Sequence, residues 1–314
     1  MLRTVFLTAS LALATVPASA GTYDALFTFG DSLVDSGNVQ AAALAGGGAD
    51  PTPAAKGYHA GRFSNGNNAA DYLSLALLGH VTKGALLGGT DFAFGGARAT
   101  TNADGIPDLA QQTALFGWAT GGVADPNALY FINAGGNDGF SAVFGQPGAP
   151  TPAAVAAAIV QTIDTLAALG ARHFLVDNVF DLGNTPFVKG NGLSAAGTAE
   201  SKALNAAIAA ALKWGPLPAG IDLKLFDANR LGGRLNADPG AFGLAGLNTT
   251  MPCIYAGAAP ACTGYEFFDA VHPTDAIYQI FGKGLAQTVP EPAAFAPFGI
   301  GVAGLATARW ARRG

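Results

Sequence analysis

The chain has 314 residues, half of them hydrophobic and only 12% charged, with a formal net charge of −5. This is too apolar for a disordered chain, and the Lys/Arg clusters that phosphate binding requires are missing, so nucleic acid is not an expected partner. The length suits one large domain or two small ones.

In chain order, residues 1–20 carry Arg3, an apolar run and the small residues Ala18-Ser19-Ala20. This is the layout of a secretory signal peptide cut before Gly21, so signal peptidase is an expected partner and the protein is expected to be exported. The body, 21–288, alternates short apolar runs with Ala-rich segments. Strands are predicted at Ala25–Phe29, Thr90–Phe94, Leu129–Asn133, His173–Asn178 and Leu223–Phe226, each followed by Gly, Asp or Asn. Helices are predicted at Asn67–Leu78, Pro107–Trp118, Ala153–Leu169, Ser194–Leu212 and Thr274–Gln287. In the third of these, Val155, Ile159, Ile163 and Leu166 recur at three-to-four spacing, as one apolar helix face requires. The alternation predicts an α/β fold, with a central parallel sheet of about five strands and helices on both faces. Gly46–Pro53 and Gly145–Pro152 read as surface loops, and Arg230–Tyr265, with little periodicity, as a long excursion.

The final segment, 289–314, has no charge from Pro292 to Ala308 and then Arg309, Arg312 and Arg313. As a helix its apolar run would reach roughly 25 Å, marginal for a bilayer core, with the basic end held in the cytoplasm. Cys253 and Cys262 are the two cysteines. In an oxidising compartment they are expected to pair and close a ten-residue loop, two free thiols being the alternative. No His or Cys stands near them at ligand spacing, so no metal or other cofactor is expected.

In a parallel sheet, ligands bind beyond the carboxyl ends of the strands, so the residues that follow each strand carry the functional reading. They are Gly30-Asp31-Ser32, Gly95-Gly96-Ala97-Arg98, Gly135-Gly136-Asn137-Asp138 and, near the end of the body, Asp269 and His272 in "FFDAVHPT". Together they contain what acyl transfer needs. Ser32 is a weak nucleophile that requires a base. His272 titrates near neutrality, and Asp269, three residues earlier, is placed to orient its ring and stabilise the imidazolium. Pro273 suits the first position of the helix that follows. Backbone N–H groups of Ser32 and Gly96, with the Asn137 amide, would meet a developing oxyanion. Either Gly95 or Gly96 can supply that N–H; the spacing after the strand favours Gly96. Asp35, Ser36 and Asn38 are expected to shape the turn after Ser32, and Arg62, Phe63, Ser64 and Asn65 to border the site or cap the next helix. His59 and His80 read as solvated, and His173 as structural.

The blocks "FGDSLVDSGN", "FAFGGAR", "GGND" and "DAVHPT" resemble, in order and spacing over about 25–285, those of the SGNH hydrolases, the GDSL lipase/esterase family. "VFDLGNTP" (179–186) and "LKLFDANRL" (223–231) resemble segments of its bacterial lipase, phospholipase and hemolysin-like members. The resemblance implies a flavodoxin-like three-layer α/β/α sandwich. It implies Ser32 as nucleophile with Asp269 and His272 as partners, and Ser32, Gly96 and Asn137 at the oxyanion. The substrate class it implies is an ester, of a lipid or an acylated polysaccharide. Deacetylase, phospholipase or acyltransferase activity on the same site, or a non-catalytic surface protein, are the alternatives. The α/β-hydrolase turn G-x-S-x-G occurs nowhere in the chain. Val289-Pro290-Glu291-Pro292, the apolar run and the Arg tail resemble the PEP-CTERM sorting signal of Gram-negative bacteria. That resemblance implies an exosortase-type partner, transient inner-membrane anchoring and delivery to the cell surface or matrix; a plain C-terminal anchor is the alternative.

Overall fold

The structure, a computed structural model, describes residues 23–289. The expected signal peptide at 1–20 and, beyond Val289, the expected sorting signal lie outside the described residues. Four parallel strands, β1 (Leu26–Gly30), β2 (Leu129–Asn133), β3 (His173–Asp177) and β4 (Asp222–Phe226), lie side by side in chain order. The helices are α1 (Asn38–Ala45), α2 (Ala69–Leu78), α3 (Leu109–Ala119), α4 (Gly136–Val143), α5 (Pro152–Leu169), α6 (Pro186–Gly190), α7 (Ser194–Trp214), α8 (Ala228–Ala237) and α9 (Asp275–Thr288).

β2 shows why the sequence builds this sheet. All five of its residues are buried. Leu129 and Phe131 pack on one face with Leu73 of α2 and Leu285 of α9, whereas Tyr130 and Ile132 pack on the other with Phe116 of α3, Ile159 of α5 and Ile208 of α7. A central parallel strand is covered on both sides, so it reads as a continuous apolar run. Each such side chain contributes roughly 1.5–3 kcal/mol when fully buried. β4 is an edge strand and stays partly exposed, with Lys224 paired to Asp222.

The expected fifth strand, Thr90–Phe94, is a correction. Its backbone follows the free edge of β1, with Thr28 N–H donating to Thr90 O (3.2 Å), Phe92 N–H to Thr28 O (2.7 Å) and Phe94 N–H to Gly30 O (3.1 Å). Along β1 only the Thr28–Asp91 pair is bridged, so the sheet has four strands. The outer carbonyls of the segment, on Asp91 and Ala93, accept from the Asn38 side chain (2.7 and 2.8 Å), and Asp91 Oδ1 accepts its own neighbour's Ala93 N–H (2.9 Å). A local side-chain bond of this kind competes with a regular ladder. The path still matters: the chain runs down the outer side of β1 and then crosses to β2 on the inner side. That reversal makes the carboxyl end of β1 the switch point of the sheet.

Other differences are local. The helix predicted from Asn67 begins at Ala69, because Asn68 caps it in a reciprocal box with Asp71. Pro273 does not open a helix: Thr274 is the N-cap and α9 starts at Asp275. α1 and α6 carry too few turns for a clear period, whereas α4 and α8 are amphipathic but each contains two glycines, which read as turn or loop residues. α8 therefore replaces the first part of the expected excursion. The rest of it is tied down. Cys253 and Cys262 are disulfide-bonded with Cα atoms 5.3 Å apart, and Cys253 and Ile254 N–H groups donate to Phe267 and Phe268 carbonyls, both at 2.9 Å.

Candidate active site

The site is built outward from Gly30. Its φ is +151°, and a Cβ there would lie 2.0 Å from the Asn133 carbonyl oxygen, so only glycine lets β1 turn this close to β2. Gln112 of α3 clamps the turn: its Oε1 accepts from Gly30 N–H and its Nε2 donates to Gly30 O, both at 2.8 Å. The Asp31 carboxylate accepts from Leu33 N–H at 3.0 Å. Asp35 then binds the next stretch, accepting from the N–H groups of Gly37 (2.8 Å), Asn38 (2.7 Å), Val39 (3.2 Å) and Gly95 (2.9 Å). Ser32 is left at the head of the turn, half-buried, with its side chain facing His272.

Ser32 Oγ lies 2.7 Å from His272 Nε2, and His272 Nδ1 lies 2.8 Å from both oxygens of Asp269. The reach from Asp269 to His272 comes from a tight loop rather than from a helical turn. Asp269 Oδ1 accepts from the backbone N–H groups of Val271 and His272 (both 2.9 Å), and Phe268 N–H donates to His272 O at 2.8 Å. Tyr58 donates its hydroxyl to Asp269 Oδ2 at 3.1 Å, and its ring stands edge-on to Phe268.

The remaining expected residues meet at the same place. Ser32, Gly96, Asn137 and His272 line one cleft of about 270 Å³. Gly95 N–H is engaged by Asp35, whereas the N–H groups of Ser32 and Gly96 find no partner among the described residues. Gly96, at φ +88°, is therefore the member of the pair with a donor to offer. Asn137 Nδ2 is steered by a bond to Ala97 O at 2.8 Å, and Asp138 accepts from Ala99 and Thr100 N–H groups (2.7 and 3.1 Å), joining α4 to the Gly96 loop. Of the segment 62–65, only Phe63 reaches the cleft, with its ring 5.1 Å from that of His272. Arg62 is buried in an ion pair with Asp71 of α2, and Ser64 and Asn65 bind Pro273 O and Asp275 N–H. His59 and His80 are exposed. His173 opens β3 and stands 3.9 Å from Asp222.

Sequence reasoning missed Gln112 and Tyr58. Gln112 did leave a signal, a polar residue on the buried face of α3. Tyr58 left none, since its partner is 211 positions away. Among the described residues no group of His, Cys, Asp or Glu is arranged to hold a metal ion.

Burial dominates the electrostatics. It would raise the Asp269 carboxyl, but the adjacent imidazole and the bonds from His272 and Val271 more than offset it and hold that carboxyl below the usual range. Burial would likewise lower His272, yet the charge and hydrogen bond of Asp269, with the charge of Asp31, raise it above its ordinary value. Next to the Ser32 turn a second pocket is bordered by Asp31, Asp177 and Glu266, which burial pushes up to about 7, 8 and 7. Asp31, Asp177 and His272 thus hold protons more tightly folded than unfolded. Their contribution is complete below the unfolded values, near 4 for the acids and 6.5 for His, and is lost as pH rises through the folded ones. Asp269 has the opposite sign, but its contribution is lost only at more acid pH. The melting temperature is expected to be higher near pH 5 than near pH 8.5 by scanning calorimetry at constant ionic strength; a curve that rises over this range contradicts the assignment.

Fold and geometry together define a class, an α/β protein whose polar groups gather at the switch point of a parallel sheet. The family follows from the chain as a whole. Residues 26–285 match the GDSL-like lipase/acylhydrolase family, and the chain belongs to it. The chain is 30% identical over 189 residues to an uncharacterized protein in the trpE-trpG intergenic region of Pseudomonas putida, an alignment covering 55% of this chain. It spans 31% of the length of that relative. Among solved structures it is similar to a carbohydrate acetylesterase from Sinorhizobium meliloti (14% identity, 84% of this chain and 96% of that one, TM-score 0.47). It is also similar to the aryl esterase of M. smegmatis (17% identity, 83% of this chain and 96% of that one, TM-score 0.47).

Proposed function

We propose that the protein is an exported serine esterase or lipase that cleaves carboxylic esters through an acyl-enzyme on Ser32. The reading is carried by one observation, the continuous line from Ser32 Oγ through His272 to Asp269 at 2.7 and 2.8 Å. With the Nδ1 proton held by Asp269, Nε2 accepts the Ser32 hydroxyl proton as Oγ attacks the ester carbonyl carbon. The carbonyl oxygen takes the negative charge in front of Ser32 N–H, Gly96 N–H and Asn137 Nδ2. On collapse the C–O bond to the alcohol breaks and the imidazolium returns its proton to the departing oxygen. Water then repeats the sequence on the acyl-enzyme and frees the acid. Every group these steps require is a side chain or backbone group of the chain itself. The test is covalent labelling by a fluorophosphonate probe, mapped by peptide mass spectrometry. A protein that is not labelled at Ser32, or is labelled equally when Ser32 is alanine, contradicts the proposal.

Tyr58 serves in this scheme as a positioning residue. Tyr58→Phe keeps the contact with Phe268 but removes the donor to Asp269. Turnover is expected to fall about 5-fold, the scale of one hydrogen bond. Without that donor the carboxylate becomes more basic and grips the imidazolium harder, so the acid limb of the pH–rate profile moves to higher pH. A purely structural role would lower the rate at every pH and leave the limb in place.

The proposal of export rests on residues 1–20, and that of sorting to the cell surface on 289–314, with signal peptidase and an exosortase-type enzyme as processing partners. The Cys253–Cys262 disulfide suits an oxidising compartment. Mass spectrometry of the mature protein tests both: an unprocessed N-terminus or a retained 289–314 segment contradicts the corresponding cut.

A further inference from the structure

The cleft at Ser32 has one polar side and one apolar side. Its apolar wall is Phe140, Phe187 and Val271. Phe140 sits on α4 one turn beyond Asn137, and Phe187 sits on α6 in the segment between β3 and α7. The two rings are 5.9 Å apart, and a third, Phe144, lies 4.6 Å from Phe187 on the side away from the cleft. The strip is held in place. Phe187 N–H donates to Ala270 O at 2.8 Å, which ties α6 to the loop that carries His272, and Thr185 caps α6. Phe187 is nevertheless 40% exposed. A large aromatic ring fixed in the open beside a reactive hydroxyl, and continuous with a second ring beyond it, is an apolar surface in want of a ligand.

We propose that Phe140, Phe187 and Phe144 form the binding strip for the acyl chain, and that the substrates are esters of medium-chain acyl groups rather than acetate esters. This rests on the acyl-enzyme reading above. The two halves of an ester are told apart by the proton. The alcohol oxygen lies at His272 Nε2, which returns its proton, and the Phe63 ring stands 5.1 Å from that of His272. The acyl substituent is assigned to the wall that runs from Asn137 to Phe140 and on to Phe187. Phe140 and Phe144, four positions apart on α4 and its C-cap, flank Phe187 at 5.9 and 4.6 Å, so the three rings make one patch that several methylenes of an acyl chain can cover.

The experiment measures kcat/KM for p-nitrophenyl esters from acetate to decanoate, and for a parallel series of alkyl acetates in which only the alcohol grows. On an open strip each methylene is expected to contribute about 2-fold, less than full burial would give, so octanoate should exceed acetate by roughly 50-fold. Phe187→Ala should cut that ratio about 10-fold, and Phe187→Leu, which keeps apolar bulk, should largely retain it. Phe144→Ala should lower the rate for octanoate and decanoate more than for butyrate. A ratio that is flat in the native protein, or unchanged by Phe187→Ala, overturns the strip while ester cleavage stands. Length dependence confined to the alkyl acetates assigns the rings to the alcohol and likewise overturns it. Failure to cleave any ester, together with no fluorophosphonate labelling of Ser32, overturns the acyl-enzyme reading itself and this proposal with it.

Discussion

Ser32→Ala is expected to lower kcat by about 10⁵-fold on a short p-nitrophenyl ester while the thermal unfolding profile stays close to that of the native protein. The size follows from what the change removes. Oγ is the atom that would form the acyl bond, and its partner is His272 Nε2 at 2.7 Å. Without it, no covalent intermediate forms, and only the free N–H groups of Ser32 and Gly96 and the Asn137 amide remain to stabilise attack by water. The fold is not expected to suffer. The turn is held by Gly30, by the Gln112 clamp and by the Asp31 and Asp35 carboxylates, none of which touches Oγ. Retention of more than a few per cent of native turnover would remove Ser32 from the chemistry.

The second large effect is expected from Asp269→Asn, at about 10⁴-fold in kcat. The local bonds decide how the amide would sit. Oδ1 accepts from Val271 and His272 N–H groups, so the amide oxygen must occupy that position, and the NH₂ falls where Oδ2 now lies, 2.8 Å from His272 Nδ1. The NH₂ meets Nδ1 as a donor, while the amide oxygen, also 2.8 Å from Nδ1, is already shared by two backbone N–H groups, so the tautomer with the ring proton on Nε2 is favoured. Nε2 then presents a proton to Ser32 Oγ instead of a lone pair. Loss of the carboxylate charge also removes the main influence that raises His272, so the residual activity should show an acid limb at lower pH than the native enzyme. Near-native kcat in this variant, or an unmoved limb, would contradict the role given to Asp269.

How far the sequence carried the fold depended on where each element sits. β2 and the start of β3 were legible to the residue, because a strand buried on both faces has to be apolar throughout. Thr90–Phe94 has the same apolar look but lies at the edge, where the Asn38 and Asp91 side chains take the bonds a regular strand would need. α4 was hidden behind "GGND", which reads as a turn because the glycines that open the helix lower its intrinsic propensity. The choice between Gly95 and Gly96 was open in the sequence; in the structure the Gly95 N–H is taken up by the Asp35 carboxylate from 60 residues away, which leaves the Gly96 N–H free for the proposed role.

By itself the sequence pointed to the residues that carry the proposed chemistry: a serine after the first strand, an Asn after the third predicted strand, and an Asp–His pair before the last helix. Strand order in a parallel sheet puts such positions on one edge, and short-range composition is enough to find them. Tertiary structure alone decided how they are supported and what they face. Gln112 grips Gly30 from 82 residues away, Tyr58 reaches Asp269 from 211, and Phe140 and Phe187 meet across two helices to wall the cleft. The physical reason is that hydrogen bonds and ring contacts act over a few ångströms in space. Nothing in the local sequence of either partner records which distant residue will arrive at that distance.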